Sequence, residues 1–268
     1  MEQIVIASVV PRTPAADELA AYGGFAVVDP RSLDDVMDLA DRTSGHVLLV
    51  GERRHEVLVR RQAAALADRG NPVAWRTWPH GPGALVVLAY QAAHPRLHAA
   101  TTVAYIDRLA ATSWSGVWTP SVARLEDPAP SVGQHVRSWG PGAGFLVTLA
   151  GPRTGVLPVG DGDLGLTFGG ACNVVCGAPE RLPERARAQV LAATGAHDLE
   201  PVPAMAFDLT ERVGSGKAVE IVATSTAAVD LPSPRGTCVS CGERLPSAFC
   251  PFCRTRPVAS TEPQGATA

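Results

Sequence analysis

The strongest constraint on the fold is the alternation of short apolar runs with helical patterns over the first eighty residues. QIVIASVV (3–10), FAVVD (25–29), HVLLVG (46–51) and PVAWRTW (72–78) are rich in apolar and β-branched residues and bounded by turn formers, which predicts strands. Between them lie TPAADELAAYGG (13–24), RSLDDVMDLADRT (31–43) and ERRHEVLVRRQAAALADRG (52–70). Thr13 stands before Pro14, Ser32 before a run containing acids, and Gly70 after the last helical turn, so each helix carries a start or stop signal. Four strands joined by three helices imply crossover connections, hence a mainly parallel sheet covered on both faces.

Beyond residue 80 the pattern changes. GALVVLAYQAA (83–93) fits a buried strand or a buried helix, because an uninterrupted apolar run has no diagnostic period. HPRLHAATTVAYIDRLAATSW predicts a helix from Pro95 to about Ala111, and the turn-rich TPSVARLEDPAPS (119–131) marks a boundary. FLVTLAG, GVLPVG, LGLTF, PAMAFDL and AVEIVATS then read as strands, and LPERARAQVLAATGA (182–196) as a helix. The expected class is α/β, with a mainly parallel-sheet N-terminal domain (1–118), a connecting segment (119–140) and a second, α+β sub-domain (141–229). A linker (230–235), a small cysteine module (236–257) and a disordered tail (258–268) complete the chain.

The cysteine module is CVSCGERLPSAFCPFC, residues 238–253. Two CxxC turns eight residues apart place Cys238, Cys241, Cys250 and Cys253 where four thiolates could surround one tetrahedral ion. The segment resembles a zinc ribbon, in which two such turns face each other; Cys241-Gly242 and Cys250-Pro251 match that family's turn residues. The resemblance covers about 22 residues and implies a structural zinc ion with no open coordination position. Disulfides and a redox dithiol are the competing readings. The opening MEQIVIASVV lacks the basic flank of a secretory signal, and the module does not follow a strand within a βαβ unit, so zinc is preferred.

Composition limits the partners. No stretch approaches the roughly 18 apolar residues of a membrane span, so the expected location is cytoplasmic with no membrane partner. Lys217 is the only lysine among 23 basic residues, a bias that a GC-rich gene explains without any nucleic-acid role, and the net charge is −3. Arg235, Arg244, Arg254 and Arg256 give the ribbon a local basic surplus against Glu243 alone.

Several residues are candidates for chemistry. Cys172 and Cys176 in FGGACNVVCGAPE are four apart and could share a helical face; buried apolar packing is the plainer reading, with Cys172 as the best nucleophile outlier. His94 and His98 have metal-ligand spacing, but Pro95 separates them. Asp161 and Asp163 read as a turn rather than a calcium loop. The first strand lacks a G-x-G-x-x-G turn, and VGSGKA (213–218) lacks the first glycine and the final hydroxyl of a phosphate loop. In a parallel sheet, ligands gather at the carboxyl ends of strands, which here offer Arg12, Arg53, Arg54 and His80 to a small anion. Trp75 and Trp78, or Trp114 and Trp118, could mark a partner surface, although core packing is the commoner use.

The function expected from these features is a binding adaptor or regulatory protein. Its ribbon would dock a protein partner or nucleic acid, and its α/β body would sense a small anionic ligand. One alternative is a hydrolase or transferase working at the strand-end loops with Cys172 or His80 as the reactive group. Another is a structural subunit of a larger assembly.

Overall fold

The computed structural model describes residues 4–94, 97–140, 142–231 and 233–258. Its first sheet follows the predicted alternation. Strands β1 (Val5–Val9), β2 (Ala26–Val28), β3 (Val47–Glu52) and β4 (Val73–Trp78) pair in parallel in the order β2-β1-β3-β4. Helices α1 (Pro14–Gly23), α2 (Leu33–Arg42) and α3 (Glu56–Asp68) make the crossovers. Thr13 Oγ1 accepts the Ala16 amide at 3.1 Å and Ser32 Oγ the Asp35 amide at 3.1 Å, so both helix starts legible in the sequence are real caps. Side chains alternate across the sheet. Ala7, Val9, Val47 and Leu49 pack on Val36, Leu39, Val59 and Leu66 of α2 and α3, while Ile6, Leu48, Val50 and Ala74 face the other way.

That other face is covered by the run whose period was ambiguous. Residues Pro82–Ala93 form helix α4, in which every residue from Pro82 to Ala89 is buried. It lies between β1 and β3 on one side and the second sheet's central strand on the other. A helix enclosed by two sheets needs no polar face, and for that reason its sequence has no amphipathic period. Helix α5 (Ala99–Thr112) packs beside it. The expected helix start at Pro95 lies outside the described residues, as do residues 259–268 of the expected tail.

The second sheet has six strands: β5 (Trp114–Thr119), β6 (Phe145–Ala150), β7 (Gly155–Pro158), β8 (Cys172–Cys176), β9 (Glu200–Pro201) and β10 (Val219–Ser225), ordered β7-β6-β5-β10-β8-β9. Its pairs are antiparallel except for β8 with β9. β5, which the sequence division groups with the first unit, is hydrogen-bonded into this sheet. One face meets α4 and α5. The other carries Trp114, Trp118, Leu146, Val174 and Ile221 beneath α7 (Glu184–Thr194), a helix that follows the short α6 (Val132–Arg137) in the chain. Two expected strands are absent: LGLTF is irregular, and PAMAFDL forms a single 3-10 turn at Pro203–Met205 before α8 (Thr210–Val213). Both segments alternate or cluster apolar residues but enter no ladder: Leu164, Leu166 and Phe168 pack into the core beneath α7, and the Pro203–Met205 turn lies against α1 and α4.

Two buried carboxylates join the halves. Glu52, at the end of β3 and with its side chain fully buried, receives the Arg54 guanidinium at 3.0 Å and is paired with Arg212 of α8, whose other terminal nitrogen reaches the Pro79 carbonyl at 2.6 Å. Glu220 of β10 accepts the Gly83 and Ala84 amides at 2.8 and 2.9 Å, and so caps the N-terminus of α4 from the second sheet. A Cβ on Gly81 would stand 2.4 Å from the Glu220 carboxylate, which explains a glycine in the turn His80-Gly81-Pro82-Gly83.

The remaining three strands, β11 (Gly236–Cys238), β12 (Arg244–Leu245) and β13 (Pro257–Val258), form the cysteine module in the order β12-β11-β13.

Candidate functional site

The four cysteines come together as their spacing implies. One sulfur from each lies within 4.8 Å of all the others, and Cys241 Sγ is 3.6 Å from Cys250 Sγ. A tetrahedron with metal–sulfur bonds of about 2.3 Å has sulfurs about 3.8 Å apart, so the cluster fits a metal ion. The two turns repeat one geometry. The Gly242 amide donates to the Cys238 carbonyl at 2.9 Å and the Arg254 amide to the Cys250 carbonyl at 3.0 Å, with both residues left-handed, at φ 74° and 61°. Burial pushes the Cys238 thiol up, but the Thr255 hydroxyl and the Cys241 and Ser240 amides outweigh it and bring the group down to about 6. Cys241 and Cys253 are raised, chiefly by burial among the other sulfurs.

The module is not a free appendage. Cys238, Leu245, Cys250 and Phe252 belong to the same core as β1, α4 and α5. The Phe252 ring meets His46, just before β3, edge-on at 4.4 Å. Glu243, 8% exposed, accepts the Ala100 amide at 3.4 Å, supplying a carboxylate to the first turn of α5, which has no side-chain cap of its own.

Among the described cavities the largest, about 580 Å³, opens on the second sheet. Its walls are the C-terminal end of α5 (Arg108, Ala111, Thr112), the start of β5 (Ser113, Trp114), Gly151 and Pro152 after β6, the irregular segment Leu166–Gly169, and Ser225 with Ala227–Asp230 after β10. The size is typical of a small-molecule pocket. Trp114, Leu166, Phe168, Pro152 and Val229 supply apolar surface, and Arg108, exposed, has no ion-pair partner among the described residues. Trp114 is held by its indole N–H on Thr148 Oγ1 at 3.2 Å and folds over Gly116, where a Cβ would come within 2.2 Å of its ring.

The residues singled out from sequence fall elsewhere. Arg12 is engaged by Asp17 at 3.0 Å and Asp35 at 3.5 Å beside β2. Arg54 is bound to Glu52, and Arg53 is exposed next to it. The anion toward which Arg54 and Arg212 converge is thus the protein's own Glu52. His80 is buried, and its Nε2 lies 2.9 Å from Ser113 Oγ, which itself donates to the Ala110 carbonyl at 3.1 Å. Burial lowers the His80 pKa to about 4. The ring is therefore neutral near pH 7, and whether its Nε2 donates to Ser113 or accepts from it is set by the tautomer. Cys172 and Cys176 lie on a strand and not on a helix, both buried under α7, with the Cys172 thiol donating to the Thr194 carbonyl at 3.1 Å. Burial raises both thiols, Cys176 to about 11, which keeps them protonated and poorly nucleophilic. His94 and His98 flank the gap between α4 and α5. Trp75 takes Arg60 over its ring at 5.8 Å on the first sheet, well separated in the fold from Trp114 and Trp118.

An α/β protein with one parallel and one mixed sheet sharing a central helix has solved counterparts. The chain is similar to the DegV family protein Cg2579 from Corynebacterium glutamicum, with 13% identity and a TM-score of 0.56 over 85% of this chain and 98% of that one. It is also similar to a DegV family protein from Eubacterium eligens solved loaded with heptadecanoic acid, with 10% identity and a TM-score of 0.53 over 84% of this chain and all of the other. At these identities the likeness is one of fold. No protein-family model matches the sequence, and no curated protein matches it by sequence.

These findings correct the adaptor expectation. The body shares its fold with a protein solved loaded with heptadecanoic acid, and the ribbon expected to dock a protein or nucleic acid is packed into the body's own core. Among the described residues no helix is long and apolar enough to cross a membrane.

Proposed function

We propose that the protein binds a small amphiphilic acid, of the long-chain fatty acid type, with its chain in the cavity walled by Trp114, Leu166, Phe168 and Val229 and its acid group at Arg108. The observation that carries this reading is the cavity itself: about 580 Å³, with largely apolar walls, Asp230 in its lining, and Arg108, whose guanidinium has no ion-pair partner among the described residues. Burying an alkyl chain there contributes about 0.8 kcal/mol per methylene, and the charge-assisted contact with Arg108 sets its direction. The heptadecanoic acid held by the fold neighbour from Eubacterium eligens supports the ligand class. In the same reading the ion held by Cys238, Cys241, Cys250 and Cys253 is zinc, in a closed and structural site, because an all-thiolate tetrahedron with no fifth donor is the arrangement zinc prefers.

The test uses delipidated protein titrated with saturated fatty acids of increasing length by calorimetry. One-to-one binding that tightens with chain length is expected. Arg108→Ala should weaken it roughly tenfold, the loss of one charge-assisted contact, and Phe168→Asp should abolish it. Absence of binding at every length would refute the proposal. Metal analysis of the purified chain should give one zinc per molecule.

A further inference from the structure

Two features of the cavity's walls connect it to the cysteine module. Helix α5 runs from the module to the cavity: Ala100 at its start takes Glu243, Val103, Ala104 and Asp107 face ribbon residues across a cleft of about 260 Å³, and Arg108, Ala111 and Thr112 at its end form cavity wall. Fourteen residues make this helix about 20 Å long, a rigid element spanning both places. The opposite wall, Ala227–Asp230, is the chain leaving β10, and five residues after Asp230 it enters the ribbon at Arg235, whose amide donates to the Leu245 carbonyl at 2.7 Å. This wall is anchored at one end by β10, and of the segment 230–235 that reads as a linker in the sequence only Asp230 belongs to it.

We infer that the metal-bound ribbon is the clamp of this cavity, so that metal binding and occupation of the cavity stabilise each other. A module of this size cannot fold on apolar burial alone and depends on its ion. Losing the ion releases Phe252 from His46, Glu243 from α5 and the far end of the 227–230 wall together. By linkage, whatever the metal does for the ligand's affinity the ligand does for the metal's, with a factor of about fivefold or more expected from coupled sites of this kind. The ligand half of this statement rests on the proposed fatty acid site; the clamp itself does not.

The full chain, loaded with zinc and then stripped with a chelator, tests the clamp by amide hydrogen exchange. The sensitive amides are those of α5 and of Thr226 and Ala227, which are bonded to the Ala171 carbonyl at 2.9 Å and to Ser225 Oγ at 3.1 Å. Stripping is expected to speed their exchange at least about tenfold while β1 and β3 keep their protection. Acceleration confined to residues 236–257 would overturn the inference. Phe252→Ala, with zinc content verified, separates docking from folding of the ribbon: it should loosen the same amides, and unchanged exchange there would overturn the inference even if stripping unfolds the whole chain. Palmitate is the ligand probe. It should slow zinc release to the chelator at least about fivefold, and equal release rates with palmitate bound would refute the coupling. If palmitate does not bind the zinc-loaded protein while the exchange changes occur, the fatty acid reading falls and the clamp stands.

Discussion

Glu220 offers a quantitative test of how the two sheets are joined. Its carboxyl is fully buried between α4 and β10, and burial raises its pKa from 4.5 to about 7 despite the Gly83 and Ala84 amides, which favour the anion. An acid whose folded pKa lies above its unfolded one binds more protons in the native state. Its contribution to stability is therefore present at low pH and is lost as pH rises from about 4.5 through 7. At about 1.4 kcal/mol per unit, the loss between pH 5 and pH 8.5 is about 2.5 kcal/mol. His80 acts in the opposite sense: with its pKa lowered to about 4 it contributes stability above pH 6.5 that is lost as pH falls. The wild-type curve alone is therefore ambiguous, and the difference from Glu220→Gln isolates the carboxyl. Gln keeps an acceptor for one amide and cannot ionise. Urea unfolding of both proteins at pH 5 and pH 8.5 should show the wild type's advantage over the variant shrinking by about 2.5 kcal/mol between the two conditions. A change below about 1 kcal/mol would refute the reasoning, because the carboxylate would then be ionised in the fold at no cost and burial would not dominate the site.

Three further outcomes follow from particular contacts. Arg212→Met should cost about 3–5 kcal/mol in chemical denaturation, since it leaves Glu52 buried with the partly exposed Arg54 and, at 3.7 Å, the His55 ring as its remaining partners; a cost below 1 kcal/mol would mean that these two compensate the charge. Arg254→Gly should stabilise the metal-loaded chain by about 1 kcal/mol by relieving its left-handed backbone, and a loss of stability would point to an unrecognised side-chain contact. Gly116→Ala should push the Trp114 ring out of its seat, destabilising the chain by about 1–3 kcal/mol and shifting the indole fluorescence of the cavity wall; an unchanged spectrum would contradict the 2.2 Å approach.

The legibility of this chain follows the range of the interactions involved. Thr13, Ser32 and the two CxxC turns act within a few residues of themselves, so helix starts and the metal cluster could be read directly. The parallel sheet was readable because each crossover carried its own helix signal. α4 was not, because its burial between two sheets removed the period that distinguishes helix from strand. Cys172 and Cys176 are buried, as the plainer reading of them expects, but their spacing could not place them on a strand, because four residues apart puts two side chains on one face of a helix and equally on one face of a strand. No signal near Glu52 announces Arg212, which lies 160 positions away, and none near Gly83 announces Glu220.

By itself, then, the sequence determined a doubly covered parallel sheet, the capped helices and a four-cysteine cluster suited to a metal, because local backbone geometry and thiolate chemistry decide those. Only the tertiary structure decided that Pro82–Ala93 is a helix shared by two sheets, that Arg54 and the distant Arg212 answer an internal carboxylate, and that residues 227–230 form part of the wall of a cavity. Each of these depends on which distant surfaces meet, and burial sets that meeting through the area removed from water, a quantity that no short stretch of chain carries.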